Sequence, residues 1–234
     1  MKNEHIDELL MKAAGEGQDV DPGVLERIGD SIKPSLRPVR PLPPGWLMAA
    51  GVVVVCAAVS LAGAARAGFS GLAKMNVLER SLIFPALGLL ACLVAVSFVR
   101  QMIPASRVRV SPGGVLGLTS IALFAVFALL FRDYRTSHFI SAGIICLLTG
   151  LLHAVPAGLL SWLVLRRGFA VDPVSAGMVG GTLAGLAGVG LLELHCPNFQ
   201  ATHILVWHIA VVPVSAAIGA SFGWIARYRA SSRG

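Results

Sequence analysis

Charge is what this sequence has least of. Only 13% of its 234 residues are Asp, Glu, Lys or Arg, while 56% are hydrophobic and the mean hydropathy is +0.77. A soluble domain of this size carries about a quarter charged residues, because a small globule is mostly surface. A soluble globular enzyme is therefore not expected. Cysteine is scarce as well, and four are too few for a disulfide scaffold. The polar stretch 1–40 lacks the apolar core and small-residue cleavage site of a signal peptide, so none is expected. There is no glycine-rich phosphate loop, GxSxG elbow or HExxH pair, and with them goes the expectation of an enzyme. Carboxylates are almost missing from the apolar stretches. Glu193 alone approaches the interior of one, about a turn from its end, whereas Glu79, Asp133 and Asp172 read as loop residues. Ionised groups in lipid are costly and mark transport pathways, so an ion-coupled pathway has little support.

What is present is a series of six apolar runs: 46–65, 80–99, 113–131, 140–165, 174–194 and 202–225. A helix needs about 20 such residues to cross about 30 Å of hydrocarbon. The expected fold is all-α: a polytopic membrane protein in the lipid bilayer, with six transmembrane helices bundled over 46–225. A cytoplasmic helical tail (1–45) precedes them and a short cytoplasmic end (226–234) follows. Pro85, Pro156 and Pro213 fall inside runs and are expected to kink their helices. Gly177, Gly181 and Gly185 repeat at four-residue spacing, a pattern that lets helices approach closely. Bundle packing explains it, and a homodimer seam stays open.

The net charge of +7 belongs to loops and tails. Lys2, Lys12, Arg27, Lys33, Arg37 and Arg40 precede the first run; Arg100, Arg107 and Arg109 follow the second; Arg166 and Arg167 follow the fourth; Arg227, Arg229 and Arg233 end the chain. The opposite side receives only Arg66, Lys74, Arg80, Arg132 and Arg135. Positive loops stay cytoplasmic, which places both termini inside, as an even number of spans requires. No nucleic-acid contact is expected from cations so arranged.

The tail holds most of the 12 acidic residues and two short apolar stripes. Ile6, Leu9, Leu10 and Ala13 share one helical face, with Glu8 and Lys12 as an i,i+4 pair on another. Asp21-Pro22 reads as a cap and first-turn proline ahead of Val24, Leu25, Ile28 and Ile32. Two helices this short bury no core of their own, so their apolar faces await a partner or the membrane surface. The proline-rich basic stretch from Lys33 to Pro44 reads as a stiff spacer.

Cys56 and Cys92 sit mid-run, where a thiol behaves as a small hydrophobe. Cys146 and Cys196 differ. Cys146 lies about 9 Å into the fourth run from its outer end, and Cys196 is in the outer loop after the fifth, so both reach one side of the membrane. Glu193, His195, His203 and His208 crowd around Cys196. Thiolates and imidazoles are ligands for zinc and softer divalent metals, and an outer dithiol is also open to oxidation. The spacing matches no closed zinc pattern. Metal binding, redox chemistry and simple packing all remain open, with no obligatory cofactor expected beyond a transient heavy-metal ion.

Several motifs resemble the NrsF-type membrane anti-sigma factors. They are Pro38-Val39-Arg40-Pro41-Leu42-Pro43-Pro44 before the first run, Cys146-Leu147-Leu148-Thr149-Gly150 leading to Pro156, Leu165-Arg166-Arg167-Gly168, Leu194-His195-Cys196-Pro197 and Val206-Trp207-His208. The second half of the chain carries the specific part; the second and third runs match only as hydrophobic segments. The resemblance implies a six-span bacterial inner-membrane regulator that holds an extracytoplasmic-function sigma factor inactive. It implies sigma-factor binding by the tail, hence by Ile6, Leu9, Leu10, Ala13, Val24, Leu25 and Ile28. It also implies that Cys146 and Cys196 sense heavy-metal stress such as chromium or cadmium. The tail is longer here than the single short helix such proteins are expected to carry. The rival expectation is a small integral-membrane metal transporter or permeability protein.

Overall fold

A computed structural model describes residues 22–33, 43–103, 110–136, 138–167 and 172–231. Ile6, Leu9, Leu10 and Ala13 lie outside the described residues. The chain divides into two units, Met1–Leu42 and Pro43–Gly234.

In the first unit, α1 spans Pro22–Ile32, starting at a proline whose fixed φ and missing N–H suit a first helical turn. Val24 is half-buried, while Ile28 and Ile32 are exposed on a four-residue repeat; the side chain of Leu25 is outside the described residues. Lys33 pairs with Asp30 at 2.8 Å on the solvated surface.

The second unit is all-helical in class, with short loops between helices and no strand among its described residues. Its elements are α2 (Gly45–Ala67), α3 (Ser70–Lys74), α4 (Val77–Met102), α5 (Pro112–Leu130), α6 (Phe139–Arg167), α7 (Pro173–His195) and α8 (Ala201–His203). A π turn, Ile204–His208, joins α8 to α9 (Ile209–Ser231), and the stretch Ala201–Arg229 runs on as one long helix. Six helices are long and apolar enough to cross a membrane, one for each apolar run, which makes this a multi-pass membrane protein. Glu79 is not a loop residue: it is the third residue of α4. Its carboxylate accepts from the Asn76 N–H at 2.8 Å while Asn76 Oδ1 accepts from the Glu79 N–H at 2.9 Å, closing a capping box. Asp172 caps α7, accepting from Val174 N–H and Ser175 Oγ, and these bonds hold its carboxyl below the usual carboxylate range.

α7 is the centre of the bundle. Residues 179–189 are all buried, whereas the other spans turn Leu89, Ile121, Phe124, Leu129, Ile145 and Leu152 outward. A helix hydrophobic on every side is a buried one, and α7 meets this by being small as well: α2, α4, α5, α6 and α9 all pack against it. A Cβ on Gly185 would lie 2.7 Å from Val212 Cα, and one on Gly181 would strike the Ser215 carbonyl. The glycine stripe is thus occupied within the chain, by α9. Ser60 Oγ donates to the Ala187 carbonyl at 2.7 Å and fastens α2 to the same core. Pro85, Pro156 and Pro213 all lie inside helices.

Candidate functional site

The end of the bundle where α7 stops and α8 begins gathers polar side chains that sequence distance conceals. Gly71 of α3 lets this end close: a Cβ there would lie 2.7 Å from the Glu193 carbonyl and 2.8 Å from that of Cys196. Ser70 Oγ donates to the His195 carbonyl at 3.0 Å, and His195 Nδ1 donates to the Gly68 carbonyl at 3.1 Å. On the other flank the Ala201 N–H donates to the Asp133 carbonyl at 2.6 Å and Thr202 Oγ1 to that of Arg135 at 2.7 Å. Phe199 stacks on Phe131 at 5.6 Å. The loop carrying Cys196 is therefore braced from both sides.

Within that frame Cys146 Sγ of α6 lies 3.4 Å from Cys196 Sγ, and Cys196 Sγ lies 3.7 Å from His203 Nε2. His203 and His208 meet edge to face with ring centroids 5.2 Å apart. One donor atom each from Cys146, Cys196, His203 and His208 falls within 4.8 Å of all the others. Cys196, His203 and His208 are buried; Cys146 is half-buried and forms the open edge. The hydrogen bond with Cys146 and burial together push the Cys196 thiol up, against the opposing pull of His203 and His208.

Two features of this geometry escape sequence reading. His203 and His208 are five residues apart, a separation that turns side chains about 140° away from each other on a regular α-helix. The π turn closes its backbone i→i+5, with the Ile209 N–H donating to the Ile204 carbonyl, and this returns residues five apart to one face. Gly143 admits the turn by leaving room for the Trp207 indole against α6. The second feature is Glu193. It is fully buried rather than near-surface, and its Oε1 accepts a 2.7 Å hydrogen bond from His208 Nδ1. That bond engages Nδ1, and Nε2 on the far side of the ring is buried without a partner among the described residues. Of the expected site residues, Cys146, Cys196, His203 and His208 come together, Glu193 stands behind His208, and His195 turns away to Gly68.

Chemically the arrangement offers two thiols and two imidazoles. The sulfurs are close enough that a modest approach to about 2.05 Å makes a disulfide. The same four donors suit a soft or borderline divalent cation.

A family model described as NrsF, negative regulator of sigma F, matches residues 34–227. No curated protein and no solved structure matches the chain.

Proposed function

The chain belongs to the NrsF family, negative regulators of sigma F, and from that premise we propose that it is a bacterial inner-membrane anti-sigma factor. Its cytoplasmic tail holds an extracytoplasmic-function sigma factor inactive, and a soft metal or oxidant acting on the outward-facing Cys146 and Cys196 releases it. The family match carries the regulatory part of this reading; the 3.4 Å approach of the two sulfurs supports the sensing part.

The tail assignment has a separate basis, because the matched residues begin at 34, beyond both apolar stripes. A short helix such as α1, exposing Ile28 and Ile32 along one face, is the form in which amphipathic segments enter the hydrophobic groove of a partner. The cation distribution supports a tail on the cytoplasmic side, where polymerase is found. Successive spans alternate direction, so the start of α2 and the thiols beside the end of α7 lie on opposite faces of the bilayer.

Release then follows from linkage. A bond joining Cys146 to Cys196, direct or through an ion, ties α6 to the α7–α8 turn and favours one packing of the bundle over another. A differential of a few kcal/mol between packings that grip and release the sigma factor shifts the population substantially. Replacing both Leu9 and Leu10 with Asp should raise sigma-dependent transcription to its fully induced level without any stimulus, measured with a reporter in the host cell. Unchanged repression, with the variant present in the membrane, overturns the tail assignment.

A further inference from the structure

The two histidines give the thiol pair a chemistry that thiols alone lack. Cys146 comes from α6, Cys196 from the α7–α8 loop, and His203 and His208 from the helix that follows, so three separate pieces of backbone each contribute to one cluster. A tetrahedral zinc-like centre with metal–sulfur bonds of about 2.3 Å and metal–nitrogen bonds of about 2.0–2.1 Å has ligand-to-ligand edges of about 3.3–3.8 Å. The observed 3.7 Å between Cys196 Sγ and His203 Nε2 is an edge of that size, whereas the sulfurs, at 3.4 Å, stand about 0.4 Å inside the sulfur–sulfur edge of about 3.8 Å and must part slightly to take a cation. The whole set lies within 4.8 Å.

A second observation is independent of these spacings. His208 is 1% exposed, and its Nε2 has no hydrogen-bond partner among the described residues, while its Nδ1 is engaged by Glu193, itself 0% exposed. A buried ring nitrogen without a partner is costly, and a carboxylate on the opposite nitrogen is the arrangement that orients metal-ligating histidines and raises their basicity. The π turn serves the same end, since it alone puts both imidazoles on the thiol side of the helix.

We infer that Cys146, Cys196, His203 and His208 form a closed four-ligand site for a divalent cation of the zinc and cadmium class, with Glu193 as the positioning residue for His208. The inference rests on the sensing role proposed for the same thiol pair, and it makes the ligand set larger and the stimulus narrower. Binding forms two metal–sulfur and two metal–nitrogen bonds and breaks two S–H bonds, together with the Nε2–H bond of His208 where that ring is an imidazolium; the released protons pass to solvent and no electron is transferred. Two thiolates balance the charge of the cation, so the loaded centre carries no net charge of its own in a low-dielectric setting. Half-buried Cys146 is the point of entry. Hard cations such as calcium and magnesium, which demand oxygen ligands, are excluded by the donor set. The bound cation clamps α6, the α7–α8 loop and the π turn together, three elements that otherwise meet at this end only through packing and hydrogen bonds.

The test uses the full-length chain, reduced and metal-free in detergent, titrated with cobalt(II) and then with zinc or cadmium. The expected result is one cobalt per chain, with the intense visible bands of a tetrahedral ion and a thiolate charge-transfer band, displaced stoichiometrically by zinc or cadmium. His203→Ala and His208→Ala should each weaken binding tenfold or more and abolish the tetrahedral spectrum. Glu193→Gln should weaken binding by about 10–100-fold while keeping the spectrum, and Cys92→Ser should change neither. An octahedral or absent cobalt signal in the wild-type chain overturns the site without recourse to any variant. So does a histidine variant that keeps both affinity and spectrum. Sigma release scored separately keeps the two proposals apart. Release that still needs both thiols in a chain that binds no cobalt rejects the cation site and leaves thiol sensing standing. Full cobalt binding beside release that ignores the Cys146→Ser and Cys196→Ser changes rejects the sensing role and leaves the site.

Discussion

Among single side chains, Glu193 and Cys196 show how burial changes what a residue does. A carboxylate with no exposure next to hydrocarbon requires a partner, and the 2.7 Å bond from His208 supplies it. Composition alone shows a lone acid near the end of an apolar run; it does not show the imidazole that meets it from a helix 15 residues on. Cys196 is shifted in the opposite sense to a reactive thiol. Its hydrogen bond with Cys146, reinforced by burial, keeps it protonated to higher pH than an ordinary cysteine. Because the thiolate is the nucleophile, alkylation of Cys196 in the metal-free protein should be slow at neutral pH. It should still be rising above about pH 8.5, where an unperturbed thiol begins to level off. Peptide mapping by mass spectrometry after timed labelling resolves it from the other three cysteines. A rate that reaches its plateau below that pH contradicts the geometry described.

On the scale of elements, the apolar runs were readable because the bilayer demands them. A stretch of about 20 residues without charge has one use, and the helices observed overshoot the expected 46–65, 80–99 and 202–225 only by the turns that carry capping and interfacial residues, such as Asn76 and Glu79. The convergence of Cys146 and Cys196 was readable for a related reason: alternating spans fix which ends share a side. The π turn was not. Nothing in Ile204-Leu205-Val206-Trp207-His208 departs from ordinary helix formers, and the extra residue per turn is set by what α6 and α7 present to it, including the space at Gly143. The stripe at Gly177, Gly181 and Gly185 announced close packing but not its partner, since small residues fit a neighbour in the same chain as well as one in another. With the partner known to be α9, Gly181→Ala should lower the stability of the folded chain by about 1–3 kcal/mol, because the added Cβ meets backbone rather than a side chain that can move aside. Gly88→Ala, where nothing lies within 4 Å, should leave stability unchanged or slightly higher. Denaturant-induced unfolding in mixed micelles compares the two; equal effects would contradict the assigned seam.

For the molecule as a whole, the buried carboxylate and imidazole side chains among the described residues are gathered at one end rather than strung along a path. Glu193, His203, His208 and Cys196 collect at one end of the bundle, while the polar side chains buried elsewhere in the described core, Ser60, Thr119, Ser161, Thr182 and Ser215, are uncharged hydroxyls among glycine, alanine and larger apolar residues. A transporter would need polar side chains following a route through the bilayer, whereas a receiver needs a binding cluster on one face and an effector segment on the other. The family match, together with that cluster, favours the receiver. The account therefore stands on one coupling: an event at Cys146 and Cys196 must loosen a grip exerted by the tail. The most direct measurement is recovery of the sigma factor bound to the full-length chain, purified from cells before and after cadmium exposure. Wild-type protein should carry the sigma factor before exposure and lose most of it after, while a chain with both Cys146→Ser and Cys196→Ser should retain it throughout. A wild-type chain that never carries a sigma factor, or a double variant that loses it as readily as wild type, would contradict the account.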